Sequence, residues 1–549
     1  MENGSPILLR KRRRPARSQE SRKRRNARKR DLRFDKSQHR GDYEVNNDGT
    51  GRGNSRELAD LQYYAHVAAL RQSEHREEVI DGAVDGTGMP EVCQWYPYPA
   101  TQPQATEKLR EQLEGWIDTL AGNSKLRDLF DQWVALPRDR QGSCTQFPDL
   151  LDEMTKRASE QLRETWCLEI GVSGEAAPNT SLRPELMKAL LMATSDHPDR
   201  EDVGICDEVS RGCRVGIHEP IAATGLWPKD TKGPKHKGYG LSFWASKEAW
   251  YNYKSCEEMK SQVCAELEAE VVKGRMKKTT EPPAGAHLTK IACILKPNGK
   301  VRLVDDLRRS GINELVLCDE TLALPGLKSA ALAVEIVSSQ APPGAEILWL
   351  ETDVAAAFRN IPVSEEDQCF LVNKVGDYYY VHTVLPFGLR SSPLLWCRYS
   401  ANYHKLVKRL LPRSIPCDGI IYVDDSGWAV PREHAFRHLL RAVLIAATLG
   451  IPLSHEKMRL STTPHNLGFR WSLSSKIASV PEEKTVRIIN DLDTIINIGR
   501  GKHAPTKLIE GVTGRLTWLS QILPKLNSDL QALYALQNLA RRRNGTSYL

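Results

Sequence analysis

Ile420-Ile421-Tyr422-Val423 runs directly into Asp424-Asp425, with Ser426-Gly427 immediately behind. An apolar run that ends in a Gly-containing turn reads as a β-hairpin: a buried strand, then a tight reversal that lifts both acids to its tip. Adjacent carboxylates repel, and burying an uncompensated charge is costly. A cation is the simplest thing that would reward holding them there. Hard divalent ions such as Mg²⁺ take carboxylate oxygens, and two-metal sites carry out phosphoryl transfer. Taken alone, the stretch reads more readily as an exposed acidic turn, because Asp-Ser-Gly is common turn chemistry.

The elements around it change that balance. Ile347-Leu348-Trp349-Leu350 leads into Glu351-Thr352-Asp353, a buried strand that ends near an acid. A second hairpin is expected where Cys369–Val372 and Tyr378–Val381 flank Gly376-Asp377. Leu385-Pro386-Phe387-Gly388-Leu389-Arg390-Ser391-Ser392-Pro393 then opens a helix from about 394 to 410. Glycine and small hydroxyl residues at a helix entry let backbone approach a ligand closely. After the acidic hairpin comes a helix over about 434–449, then Gly450-Ile451-Pro452-Leu453 and Glu456-Lys457. Upstream, a helix over 246–275 stops at Pro282-Pro283. Ile291–Leu295 and Val301–Val304 flank Asn298-Gly299, a strong hairpin signal. Lys296, Lys300 and Arg302 surround that turn, where cations would suit a triphosphate; solvated basic residues are the plainer reading of this segment alone.

The ordered set resembles the palm of a reverse transcriptase. It comprises Lys296, Arg302 and Arg308 at Lys-x5-Arg-x5-Arg spacing, Asp353-x4-Phe358, Leu385-Pro386-Phe387-Gly388-Leu389, Tyr422-Val423-Asp424-Asp425, Gly450-Ile451 with Lys457, and Leu467-Gly468-Phe469. Each is weak singly; all six in this order are specific, and they span roughly residues 265–540. Phe358-Arg359-x-Ile361-Pro362-Val363 and the Pro-Phe-Gly-Leu stretch are most similar to gypsy-like and DIRS-like retrotransposons. Residues 506–535 resemble that group's thumb, with Leu508, Ile509, Val512, Leu516 and Leu519 on one helical face.

The resemblance implies an α+β right-hand polymerase: fingers, a palm with an antiparallel sheet, and a thumb. It implies an RNA-directed DNA polymerase that extends a DNA primer on an RNA template with dNTPs and two Mg²⁺ ions, or Mn²⁺ in their place. Asp353 and Asp424 would hold the metals, helped by the Val354 carbonyl, with Asp425 in support. Lys296 and Arg302 would clamp the triphosphate. Phe358 would block a ribose 2′-hydroxyl, and Phe387-Gly388 would contact the template or incoming base. Tyr422 and Leu467-Gly468 would position the primer end, and Lys457 would donate a proton to pyrophosphate. Asp305 beside Asp306 departs from the family's pattern, where an Asp at 306 is ordinary and one at 305 is not. Asp425-Ser426-Gly427 also matches an aspartic-protease triplet, but the hairpin accounts for it.

The chain has 549 residues with 40% hydrophobic content, enough for about two to four domains. No apolar run is long enough for a membrane span, and Ile7-Leu8-Leu9 is too short for a signal peptide. Its 12 scattered cysteines suit free thiols. Residues 1–40 carry 16 Lys/Arg against 4 Asp/Glu, a balance of +12 that leaves the rest at −4 although the total is +8. Residues 1–56 therefore read as a disordered basic tail and linker. Nuclear targeting, with cytoplasmic passage, is the preferred reading of its Arg/Lys runs, and a phosphate-binding arm is the second. Residues 57–245 read as helical to about 165 and loop-rich beyond, with no assigned role; Cys206, Cys213 and His218 lack a zinc-ligand spacing. Fingers and palm are expected over 246–480 and a helical thumb over 481–549. No ribonuclease H, integrase or recombinase region is recognised, so the expectation is a polyprotein fragment or a truncated genomic copy. Two rivals stand beside polymerisation: an inactive remnant that binds nucleic acid, and an RNA-templated RNA polymerase, which Phe358 disfavours.

Overall fold

The computed structural model describes residues 104–230, 251–295, 299, 301–499, 503–542 and 546–548. The basic tail, residues 57–103, Lys296 and Lys300 lie outside them.

The first described helices are α1 (Gln104–Ala121), α2 (Ser124–Ala135) and α3 (Gln146–Ile170). Leu109, Leu113, Ile117 and Leu120 recur at helical spacing on α1 and all are buried. The stretch read as loop-rich contains two further helices, α4 (Pro184–Thr194) and α5 (Gly204–Arg211). Pro184 starts α4 at a position where its missing N–H has no helical partner to lose. Cys206 and Cys213 are buried among apolar side chains that push both thiols up, and His218 sits edge-on to Phe370. Among the described residues, Cys206, Cys213 and His218 form no metal-binding group.

The helix expected over 246–275 is two helices where it is described. They are α6 (Lys254–Glu258) and α7 (Lys260–Val272), separated at Met259 by a non-helical backbone. Gly274 (φ 71°) follows α7 in the left-handed region, a common helix stop. The chain then forms a strand not foreseen, β1 (Met276–Thr279), followed by β2 (Leu288–Thr289). The Asn-Gly hairpin follows as β3 (Ile291–Leu295) and β4 (Val301–Asp305), paired antiparallel with Ile291 opposite Asp305.

After α8 (Leu327–Gln340) and β5 (Ile347–Asp353) come β6 (Val372–Val375) and β7 (Tyr378–His382). That hairpin starts later than Cys369, because residues 365–368 form a helical turn. Helix α9 (Ser392–Arg409), β8 (Asp418–Tyr422), β9 (Asp425–Pro431) and α10 (Arg432–Thr448) complete the central layers. Strand β10 (Arg459–Ser461) is followed by β11 (His465–Asn466), β12 (Phe469–Ser472) and β13 (Ile477–Ser479). Three helices close the chain: α11 (Glu482–Ile498), α12 (Thr506–Leu519) and α13 (Leu526–Arg542).

The central sheet has order β10-β5-β9-β8, antiparallel throughout. Side chains alternate across a strand, so each strand feeds two cores. Leu348, Leu350, Ile421, Trp428 and Val430 face α9, α10 and the N-terminal helices in one apolar cluster. Trp349, Ile420 and Ala429 face α8, Phe469 and Trp471 in another. Gly427 is required here, because a Cβ would run into the Trp349 indole. The Ser426 hydroxyl is buried 2.6 Å from that of Thr352. Packing thus explains both small residues of the Asp-Ser-Gly triplet. A second sheet, β1-β7-β6-β2, stands with the β3–β4 pair beside it.

Candidate active site

Three strand ends bring the acids together. Asp353, the last residue of β5, lies opposite Asp425, the first of β9, and Asp425 also pairs with Tyr422. Asp424 occupies the reversal between β8 and β9, and its carbonyl accepts from the Val354 N–H at 2.9 Å. The turn uses Val423 at φ 59°, a backbone region that branched side chains avoid. Its carbonyl accepts from Trp396 Nε1 of α9 at 2.7 Å, which pins the tip to the helix below.

The electrostatics follow from this crowding. Burial first, and then Asp353, raises the Asp424 carboxyl above its ordinary value. Asp425 is pushed up to about 7, by burial first and then by Asp424 and Asp353. Asp353 is held differently. Its Oδ2 accepts from Ser454 Oγ at 2.8 Å and from Lys457 Nζ at 2.7 Å, and its carbonyl accepts the Ser454 N–H at 2.8 Å. Burial opposes the Lys457 ammonium, but its bond to Asp353 outweighs that and raises its pKa. Lys457 therefore supplies positive charge where two repelling carboxylates have too little of it.

Arg302 on β4 stacks over the Phe387 ring at 5.6 Å, and Phe387 lies 5.4 Å from Phe358. Gly388 (φ 95°) passes so close to the Asp305 carbonyl that a Cβ there would clash. The structure thus gathers Arg302, Phe358, Phe387 and Gly388 into one wall. Lys296 cannot be placed with them, because it lies outside the described residues. Leu467 (φ 51°) and Gly468 (φ 84°) turn β11 into β12. Their carbonyls accept from Trp518 Nε1 of α12 at 3.1 Å and from Lys484 Nζ of α11 at 2.9 Å.

Several residues in this region had no role assigned from the sequence. Asp305, the unexpected acid, has a side chain 11% exposed and accepts from Asn373 Nδ2 at 2.9 Å. Burial opposes its ionisation, but His382, Arg359 and Asn373 outweigh it and hold its pKa low. Arg359 and His382 are buried, and Glu270 is half-buried beside them. A side chain's burial depends on distant strands, so no local pattern announces it.

With this geometry in hand, residues 294–471 match the family described as reverse transcriptase (RNA-dependent DNA polymerase). The matched residues include the antiparallel central sheet with its three acids, on an α+β fold. A Gag-Pro-Pol polyprotein of Human T-cell leukemia virus 2 is 26% identical over 263 residues, covering 46% of this chain and 16% of that one. A Gag-Pro-Pol polyprotein of Human T-cell leukemia virus 3 (strain 2026ND) is 28% identical over 266 residues, 47% and 16% of the two chains. The chain therefore spans about 16% of the length of the curated relatives it matches. Among solved structures it is similar to a foamy viral protease-reverse transcriptase dRH in complex with ds DNA. That match has 18% identity and a TM-score of 0.40, covering 62% of this chain and 52% of that one.

Proposed function

We propose that this chain is the RNA-directed DNA polymerase of a retroelement, adding deoxynucleotides to a primer on an RNA template. The observation that carries the reading is the pairing of Asp353 with Asp425, with Asp424 at the adjoining tip. Two carboxyls raised above their ordinary values by burial and then by neighbouring carboxylates are a donor set that a divalent cation relieves. Mg²⁺, or Mn²⁺, fits oxygen donors of this kind; Asp353, Asp424 and the Val354 carbonyl would hold it, with Asp425 in support. When bound, the metal pair would supply charge stabilisation to the primer hydroxyl and the leaving pyrophosphate.

The chain's own groups have separate tasks in this reading. Arg302, with Lys296, grips the triphosphate. Phe358 closes the space a 2′-hydroxyl would need, and Phe387-Gly388 lies against the incoming base or template. Tyr422 and the Leu467-Gly468 turn seat the primer end. Lys457 leaves Asp353 and gives a proton to pyrophosphate. The basic N-terminus directs the chain to the nucleus, and the element is of the gypsy-like or DIRS-like kind.

The test is primer extension on poly(rA)/oligo(dT) with Mg²⁺ and dTTP, beside Asp424→Asn. Extension by the wild type alone is expected, with a loss on the order of a thousandfold or more in the variant. No extension from a folded protein that still binds the duplex would favour the inactive-remnant reading instead.

A further inference from the structure

The unexpected Asp305 belongs to a buried chain of polar contacts that links the two halves of the proposed nucleotide site. It starts at Phe358. The next residue, Arg359, is 5% exposed. Its Nε and Nη2 donate to Glu270 Oε2 of α7 at 3.0 and 2.8 Å, and its Nη1 donates to His382 Nδ1 at 2.7 Å. Because Nδ1 accepts, the His382 proton sits on Nε2, which donates to Asn373 Oδ1 at 2.8 Å. Asn373 Nδ2 then donates to Asp305, three residues along β4 from Arg302.

Two further contacts stiffen the start of this chain. Asn360 Nδ2 donates to the carbonyls of Ala355 at 3.0 Å and Ala357 at 3.2 Å, closing the turn that carries Phe358. That turn contains Ala356 at φ 52°, a conformation that needs outside support. Arg302 over Phe387, and Phe387 beside Phe358, close the loop on the other side. Inside it is a cavity of about 170 Å³ whose lining includes Arg302, Asp305, Ala356, Arg359, His382 and Phe387.

We infer that Arg359 and His382 are positioning residues: they set the distance between the cation Arg302 and the ring Phe358, and so tune selection of the nucleotide sugar. The inference rests on the polymerase reading above. Arg302 stands on a hairpin strand of the fingers, whereas Phe358 stands on the turn after β5. Val301 and Leu303 of β4 pack in a different apolar cluster from Phe358, so the polar path and the Phe387 ring are the two links that set their relative placement. A charged pair inside a core is a costly way to fill space unless geometry is what it secures. The planar Arg359 guanidinium holds two partners in a fixed geometry, which the freely rotating Lys ammonium does not impose.

The experiment compares Arg359→Met/Glu270→Gln, which removes both charges of the pair and also takes Glu270 from Lys273 and Arg275, with Arg359→Lys. Glu268→Gln serves as the structural control: it lies on the same helix as Glu270 and neutralises the pair with Lys278, but is off the path. Circular dichroism and duplex affinity establish that each variant is folded and binds. The readout is kcat/KM for dTTP against UTP. The double variant is expected to raise KM for dTTP and lower the dTTP/UTP preference by about ten- to a hundredfold, with duplex affinity within about twofold. Arg359→Lys should fall between, and Glu268→Gln should keep the wild-type ratio. An unchanged ratio in a folded, extending double variant overturns the positioning role alone, as does an equal change in Glu268→Gln. An unfolded double variant transfers the decision to Arg359→Lys, where an unchanged ratio overturns the role. A wild type that extends no primer overturns the polymerase reading and this inference together.

Discussion

Asp425 carries a proton more tightly in the folded chain than its ordinary value near about 3.9 allows. Burial, Asp424 and Asp353 push it up to about 7. A carboxyl whose folded pKa is raised contributes stability at low pH, and that contribution is lost as pH rises from about 4 through about 7. Glu201 works in the opposite sense: Lys405 and Arg409 outweigh its burial and hold it down at about 2. The comparison must therefore be a difference between two proteins. In a chelator, the melting temperature of the wild type should fall relative to Asp425→Asn as pH rises across that window. Mg²⁺ should restore more of the wild type above pH 7 than below pH 5. Parallel melting profiles would show that the carboxylates do not strain one another. Ser454 is tested independently. Its hydroxyl donates to Asp353 Oδ2, so Ser454→Ala leaves Lys457 as the remaining donor to that oxygen, while the residue-454 N–H stays on the Asp353 carbonyl. Extension should slow by about tenfold with little change in duplex affinity; an unchanged rate would mean that Lys457 alone orients the acid.

The β8–β9 hairpin is held by a helix as much as by its own ladder. Val423 at φ 59° costs on the order of 1–3 kcal/mol, and the Trp396 indole holds its carbonyl from α9. Trp396→Phe keeps the ring but removes that donor. It should lower stability by about 1–2 kcal/mol in urea titration and slow extension, because the Asp424 tip is no longer anchored. Full activity with reduced stability would separate the anchor from the chemistry. The hairpin itself was legible in the sequence, because Ile420 to Asp425 combines an apolar run with turn residues. So were β3–β4 and the amphipathic face of α12, where Ile509 and Val512 are buried. Strand β1 was not, since Met276–Thr279 is mostly polar and acquires its state by pairing with β7, about a hundred residues later. Helices α4 and α5 were hidden by flanking Pro, Gly and Asp residues that resemble loop composition. The acids and the Phe-Gly turn could be picked out by type and order. His382 and Ser454 could not, and Arg359 stood in the 358–363 stretch with no role attached, because what these side chains do arises only from contacts made across the fold.

At the scale of the whole molecule, the N-terminal helices behave as part of the central layers. A single apolar cluster contains Leu109, Leu113, Trp133, Phe147 and Trp166 together with Leu350, Phe436, Leu440 and Leu460. Ion pairs reinforce the seam: Glu114 of α1 binds Arg437 at 2.8 Å and also pairs with Arg441, which is fully buried on α10. Arg398 of α9 binds Asp202 at 2.7 Å, and Lys405 binds Glu201 at 3.0 Å. Removing Glu114 leaves the Arg441 charge buried without its anion. Glu114→Gln should therefore cost about 3–5 kcal/mol, and adding Arg441→Met should recover much of it. The same reasoning sets the smallest unit that can be purified. A fragment beginning at residue 246 would expose the apolar backs of α9 and α10, and with them Trp396, Phe436 and the buried cations Arg398 and Arg441. It should aggregate, or bind a hydrophobic dye in place of melting cooperatively. Co-expression of residues 104–230 as a separate chain should rescue it, because the contacts are those of a core and need no covalent link. A soluble, cooperatively melting 246–549 fragment that extends primers would show that the helices are an accessory, and that the palm sheet is stable on α9 and α10 alone.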